Sequence, residues 1–88
     1  MTPDEIQAHV IKALARVAPE ARNVPLASTV NLRDQLDIDS MDFLNFVIAL
    51  HHDLGVEIPE TDYPELVTLD RAVRYLGERL ATQDRHGR

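Results

Sequence analysis

Apolar residues recur along this chain at the spacing of helices. Ile6, Val10, Ala13, Leu14 and Val17 are separated from the first by 4, 7, 8 and 11 positions, which puts them on one face at 3.6 residues per turn. Thr2 stands as N-cap, Pro3 takes the first helical position, and Glu5 lies three residues after Thr2, completing a capping box. A first helix therefore starts at Pro3, and Pro19 bounds it. A second helix is predicted from Ser40 to Leu54, with Asp39 as N-cap, Asp42 near the positive end and Gly55 as terminator. This helix carries two apolar stripes. Phe43, Phe46, Val47, Leu50 and Leu54 form one, while Met41, Leu44 and Ile48 fall on a second face rotated by roughly 120°. One stripe serves a core, and the other is surplus.

Beyond Pro59, the segment Glu60 to Leu66 contains Pro64 and predicts only a short helix or turn. Thr68 caps a final helix in which Leu69, Val73, Leu76 and Leu80 recur at helical spacing, with Ala72 completing the face. Ala81 to Arg88 reads as a polar, frayed tail. Ala18 to Asp39 holds two prolines, Asn23, Ser28 and Asn31, and reads as a long connection with one short turn around Leu32 to Leu36. Leu26, Val30, Leu32 and Leu36 are expected to pin it to the core. The predicted fold is all-α: a small bundle of three main helices plus one short helix, with a long loop between the first and second. Residues 1–80 form a single domain in this reading, and 81–88 the tail.

Composition narrows the function. A chain of 88 residues buries only about 60 to 65 per cent of its unfolded surface. With 44% hydrophobic and 5% aromatic residues and no Trp, aliphatic side chains must supply most of the burial. The absence of cysteine excludes disulfides, zinc thiolates and thiol nucleophiles, and permits a reducing compartment. No apolar run suits a signal peptide or a membrane span, so a soluble, cytoplasmic protein is expected. The net charge of -6 disfavours nucleic acid and anionic membranes as partners, which argues against a small DNA-binding regulator.

The acids are concentrated. Between Asp34 and Asp70 stand ten of the fifteen Asp and Glu residues and no Lys or Arg, a stretch suited to basic partners. Catalytic patterns are missing: there is no HExxH, glycine-rich phosphate cradle or GxSxG, and none of the four histidines has an evident serine to activate. His51, His52 and Asp53 are adjacent, yet successive helical residues diverge by about 100° and cannot jointly grip a metal. Asp37, Asp39 and Asp42 lack the glycine and closing glutamate of a calcium loop.

That leaves Ser40, a hydroxyl at a helix start between Asp39 and the surplus apolar stripe. The string Asp39-Ser40-Met41-Asp42, followed by Leu44, Ile48, Ala49, Leu50, Asp53, Leu54, Gly55, Val56, Glu57, Ile58 and Pro59, resembles the acyl carrier protein family from about Leu32 to Leu80. The resemblance implies that Ser40 receives 4′-phosphopantetheine from coenzyme A, delivered by a phosphopantetheinyl transferase, and that the arm's thiol carries acyl or aminoacyl groups as thioesters. Asp39 would help the transferase hold magnesium. Met41, Asp42, Leu44, Asn45 and Ile48 would meet partners: a loading enzyme and a dedicated synthase or acyltransferase. The chain would be a non-catalytic, monomeric carrier. Departures from the family pattern are Asp37 in place of a glycine, Met41 for leucine, and Asn45, His51 and His52 where glutamates are usual, which points to a specialised member. Phe43 and Phe46 predict a shallow acyl pocket. The competing reading is an unmodified adaptor of the same fold that binds a partner through the Ser40–Leu54 helix.

Overall fold

The structure, a computed structural model, describes residues 1–86. Helix α1 spans Pro3–Val17, a 3-10 turn follows at Pro19–Arg22, and the short α2 spans Leu32–Leu36. Helix α3 runs Ser40–Leu54, a second 3-10 segment spans Glu60–Leu66, and α4 runs Leu69–His86. The three main helices, the short helical segment after Pro59 and the long first connection are those the sequence predicts. The turn at Pro19–Arg22 is an addition: Pro19 ends α1 but suits the start of a new turn.

Capping follows the sequence closely. The Thr2 hydroxyl accepts from the Glu5 N–H at 3.2 Å, and the Glu5 carboxylate accepts from the Thr2 N–H at 2.9 Å. Those hydrogen bonds hold the Glu5 carboxyl below its ordinary range. Gly55 closes α3 in the left-handed conformation at φ 66°, donating its N–H to the His51 carbonyl. The start of α4 is shared by two residues, because the Arg71 N–H reaches Asp70 Oδ1 at 2.8 Å and Thr68 Oγ1 only at 3.4 Å.

Helix α1 packs against both α3 and α4, and the Glu60–Leu66 segment packs on α4. Phe46, Leu14, Leu32, Leu50, Leu66, Leu76, Val10 and Val56 are fully buried, each worth roughly 1.5–3 kcal/mol against exposure. Val17, Leu54, Val73 and Leu80 lie at the margin, half-buried against that core. Ile38 and Ala49 join the core, which the stripes did not anticipate.

The long connection is held partly as expected. Leu32 and Leu36 are buried and Leu26 packs against the core, but Val30 is 44% exposed and pins nothing. Polar bonds replace it. Gln35 takes the Ala27 N–H on Oε1 and donates to the Ala27 and Val30 carbonyls, while Leu32 N–H reaches the Val67 carbonyl and Asp70 N–H the Ser28 carbonyl. The loop is thereby tied to the start of α4. At the other end of the chain α4 continues to His86, so residues 81–86, expected to fray, are helical. The last two residues of that expected tail lie outside the described residues.

A candidate attachment site at the start of α3

Five residues aim the chain into α3. Asn31 caps α2 by accepting the Arg33 N–H at 2.9 Å, and Asp37 ends it in the left-handed conformation at φ 53°. Few residues other than glycine tolerate that geometry, and Asp is among them. Buried Leu36 and Ile38 anchor the turn on either side of Asp37. Asp39 then caps α3: its Oδ1 accepts the Asp42 N–H at 2.8 Å, and Asp42 Oδ2 accepts the Asp39 N–H at 3.3 Å. This is a capping box built from two carboxylates.

Ser40 is therefore not needed as the cap. It is solvent-exposed, and its Oγ accepts a long hydrogen bond, 3.5 Å, from Arg33 Nη2. The N–H groups of Ser40 and Met41 open the helix and have no acceptor within it. A reachable hydroxyl beside free donors and a positive helix end suits an esterified phosphate. Arg33 is a neighbour of Ser40 that the sequence pattern does not single out, since it stands just outside the acidic stretch that begins at Asp34. The short α2 and the left-handed turn at Asp37 fold it back to Ser40, seven positions on, a meeting that spacing along the chain does not mark.

The predicted docking residues lie together along α3. Met41, Leu44 and Ile48 are 66%, 39% and 53% exposed, Asn45 is exposed and Asp42 half-buried. A groove of about 440 Å³ is lined by Arg16, Val17, Asn45, Ile48, Ala49 and His52. Across Ile48, a second cleft of about 210 Å³ is lined by Val47, Ile48, His51, Glu57, Ile58 and Tyr63. Phe46 is sealed in the core, and Phe43, nearly so, packs against Phe46 and the edge of Tyr63 at ring separations of 5.8 and 6.2 Å.

The charges on α3 change in the folded molecule. Asp53 is only 11% exposed and pairs with Arg16 at 3.2 Å, with His52 at 3.6 Å. Asp42 is thus the one acid of α3 without a cationic partner among the described ion pairs. His51 Nδ1 lies 2.8 Å from the Val56 carbonyl, and a carbonyl only accepts, so that nitrogen carries the proton. The ring thus ties the end of α3 to the connection that follows it at Val56. Among the described residues no three His, Asp or Glu side chains gather to hold a metal ion, and no helix is long and apolar enough to cross a membrane.

Fold and site together describe a small helical domain that offers one reachable hydroxyl at a helix start and an apolar face beside it. Comparison with known proteins agrees. The family model described as "Phosphopantetheine attachment site" matches residues 4–76. An acyl carrier protein of Thermobifida fusca is 30% identical over 70 residues, covering 76% of this chain and 89% of that protein. One from Lactobacillus johnsonii is 37% identical over 51 residues, covering 58% of this chain and 64% of that protein. A mitochondrial acyl carrier protein of Saccharomyces cerevisiae is 28% identical over 67 residues, which is 54% of its length. The chain belongs to the phosphopantetheine-attachment family of acyl carrier proteins. Members are non-catalytic carriers that hold acyl groups on a 4′-phosphopantetheine prosthetic group and work with the enzymes that load and process those groups.

Proposed function

We propose that this chain carries acyl or aminoacyl groups on a 4′-phosphopantetheine arm esterified to Ser40. The observation that carries the reading is the exposed Ser40 hydroxyl at the start of α3, left over because Asp39 does the capping. A phosphopantetheinyl transferase is the modifying partner: Ser40 Oγ gains a bond to the pantetheine-bearing phosphorus as the pyrophosphate link of coenzyme A breaks, adenosine 3′,5′-bisphosphate leaves, and the hydroxyl proton passes to solvent. Asp39, exposed and adjacent, contributes a carboxylate to the transferase's magnesium. Once bound, the arm supplies a terminal thiol that forms thioesters, the only thiol on a chain without cysteine.

Partner enzymes meet Met41, Asp42, Leu44, Asn45 and Ile48. The apolar trio is exposed on one face, of the kind that docks on another protein. With Asp53 engaged by Arg16, the face offers less negative charge than its sequence counts, which favours a dedicated loading enzyme and synthase or acyltransferase over a broadly shared one. The working unit is a monomeric domain built on residues 1–80, with α4 continuing beyond it, in the cytoplasm.

Incubation with coenzyme A and a broad-specificity phosphopantetheinyl transferase tests this directly. Intact-mass analysis is expected to show the addition of one phosphopantetheinyl group to the wild type and none to Ser40→Ala. An unchanged wild-type mass would leave an adaptor that binds a partner through α3 without modification.

A further inference from the structure

The geometry points to Arg33 as the residue that positions the phosphodiester of the arm on Ser40. This rests on the reading of Ser40 as the attachment point. The guanidinium is held at that hydroxyl by two contacts, Nη2 to Ser40 Oγ at 3.5 Å and Nε to the Ile38 carbonyl at 3.4 Å. Both are at the long limit for such bonds, so they place the group without exhausting its five donors. Among the described residues the ion pairs of Arg side chains are Arg16–Asp53 and Arg71–Glu65. Arg33 is in neither, although Asp34, Asp37, Asp39 and Asp42 all lie within nine residues of it in sequence. It is also the last Lys or Arg before the basic-free stretch that ends at Asp70.

The local electrostatics give that cation a task. A phosphodiester on Ser40 would be an anion next to the carboxylates of Asp39 and Asp42, which occupy each other's N–H groups at the helix start. Like charges so close disfavour each other, and the guanidinium is a compensating charge within reach of Ser40 Oγ. Its planar fork matches two phosphate oxygens at once, which an ammonium cannot do. The side chain grows from α2, whose start is capped by Asn31 and whose buried Leu32 and Leu36 fix it to the core. Arg33 thus orients the base of the arm from a helix other than the one that bears it.

Side-chain NMR of the intact protein tests this. In uniformly ¹⁵N-labelled wild type, the Arg33 Nε–Hε signal is expected to move on conversion from the unmodified to the phosphopantetheinylated form, while the other arginine signals stay in place. The ³¹P signal of the modified protein is expected to shift in Arg33→Gln and to return toward the wild-type position in Arg33→Lys. Mass analysis of each sample reports whether the arm is present. An Arg33 signal that superimposes in the two forms, or a ³¹P signal identical in wild type and Arg33→Gln, would overturn the assignment while leaving attachment at Ser40 intact. A wild type that takes up no arm would overturn the attachment reading first and this one with it. If Arg33→Gln alone resists modification, the wild-type comparison of the two forms still decides.

Discussion

Helices α1 and α3 begin with the same device made from different side chains. At α1 the capping oxygen is the Thr2 hydroxyl, consumed by the Glu5 N–H. At α3 it is the Asp39 carboxylate, and the hydroxyl of the next residue is left over. A hydroxyl that caps is fixed and occupied, whereas one that follows a carboxylate cap is fixed in place yet open. Under the proposed attachment at Ser40, the difference is what keeps the hydroxyl available: the capping work passes to its neighbour Asp39. The second start also has an arginine from α2 at its free hydroxyl, Arg33 Nη2 lying 3.5 Å from Ser40 Oγ.

Substitutions at the two starts should separate stability from attachment. The largest effect is expected at Ser40, where Ser40→Ala abolishes modification by intact mass but changes stability by less than about 0.5 kcal/mol, since the side chain is exposed and does not cap. Thr2→Ala should do the reverse, lowering stability by about 1 kcal/mol in urea unfolding while the protein still takes up the arm. Asp39→Ala is expected to affect both. It removes the cap and a favourable charge at the positive helix end, costing about 1–2 kcal/mol, and single-turnover modification should slow. Normal modification kinetics for Asp39→Ala would confine that residue to capping.

Two smaller effects sharpen the contrast. Asp37→Gly, which puts the preferred residue at the left-handed position, should raise stability slightly, by about 0.5 kcal/mol after the entropy cost of glycine, read as a higher urea midpoint. The α1 box also carries a pH dependence. Because the folded state holds Glu5 below its ordinary value, the unfolded chain takes up that proton first on acidification. The stabilisation is complete above the unfolded value of 4.5 and is lost as pH falls through the lower folded one. Glu5→Gln should flatten this part of the acid limb of thermal melts, and an unchanged limb would show that the α1 box does not respond to pH.

Legibility in the sequence follows the range of each interaction. The main helices, the Thr2–Glu5 capping box, Asp39 as the cap of α3, Gly55 as a terminator and Asp37 as a tolerable left-handed residue were all readable, because each depends on residues within about four positions of one another. The exposed face of Met41, Leu44 and Ile48 was readable by the same periodicity, being apolar surface left after the core stripe was assigned. Val30 misled because alternating polar and apolar positions in a loop carry no period, and the bonds of Gln35 decide which way it faces. The tail misled because polarity alone does not stop a helix once α4 is under way.

By itself the sequence determined where helices start and stop, which side of α3 enters the core and that Ser40 follows a carboxylate cap. Only the tertiary structure decided the charges that hydroxyl and that face present. Arg16 reaches Asp53 across 37 positions because α1 packs on α3, and Arg33 meets Ser40 because α2 is folded back by the turn at Asp37. Local rules act through the backbone of one helix, whereas a charge finds its partner through the packing of several, and no spacing along the chain encodes that.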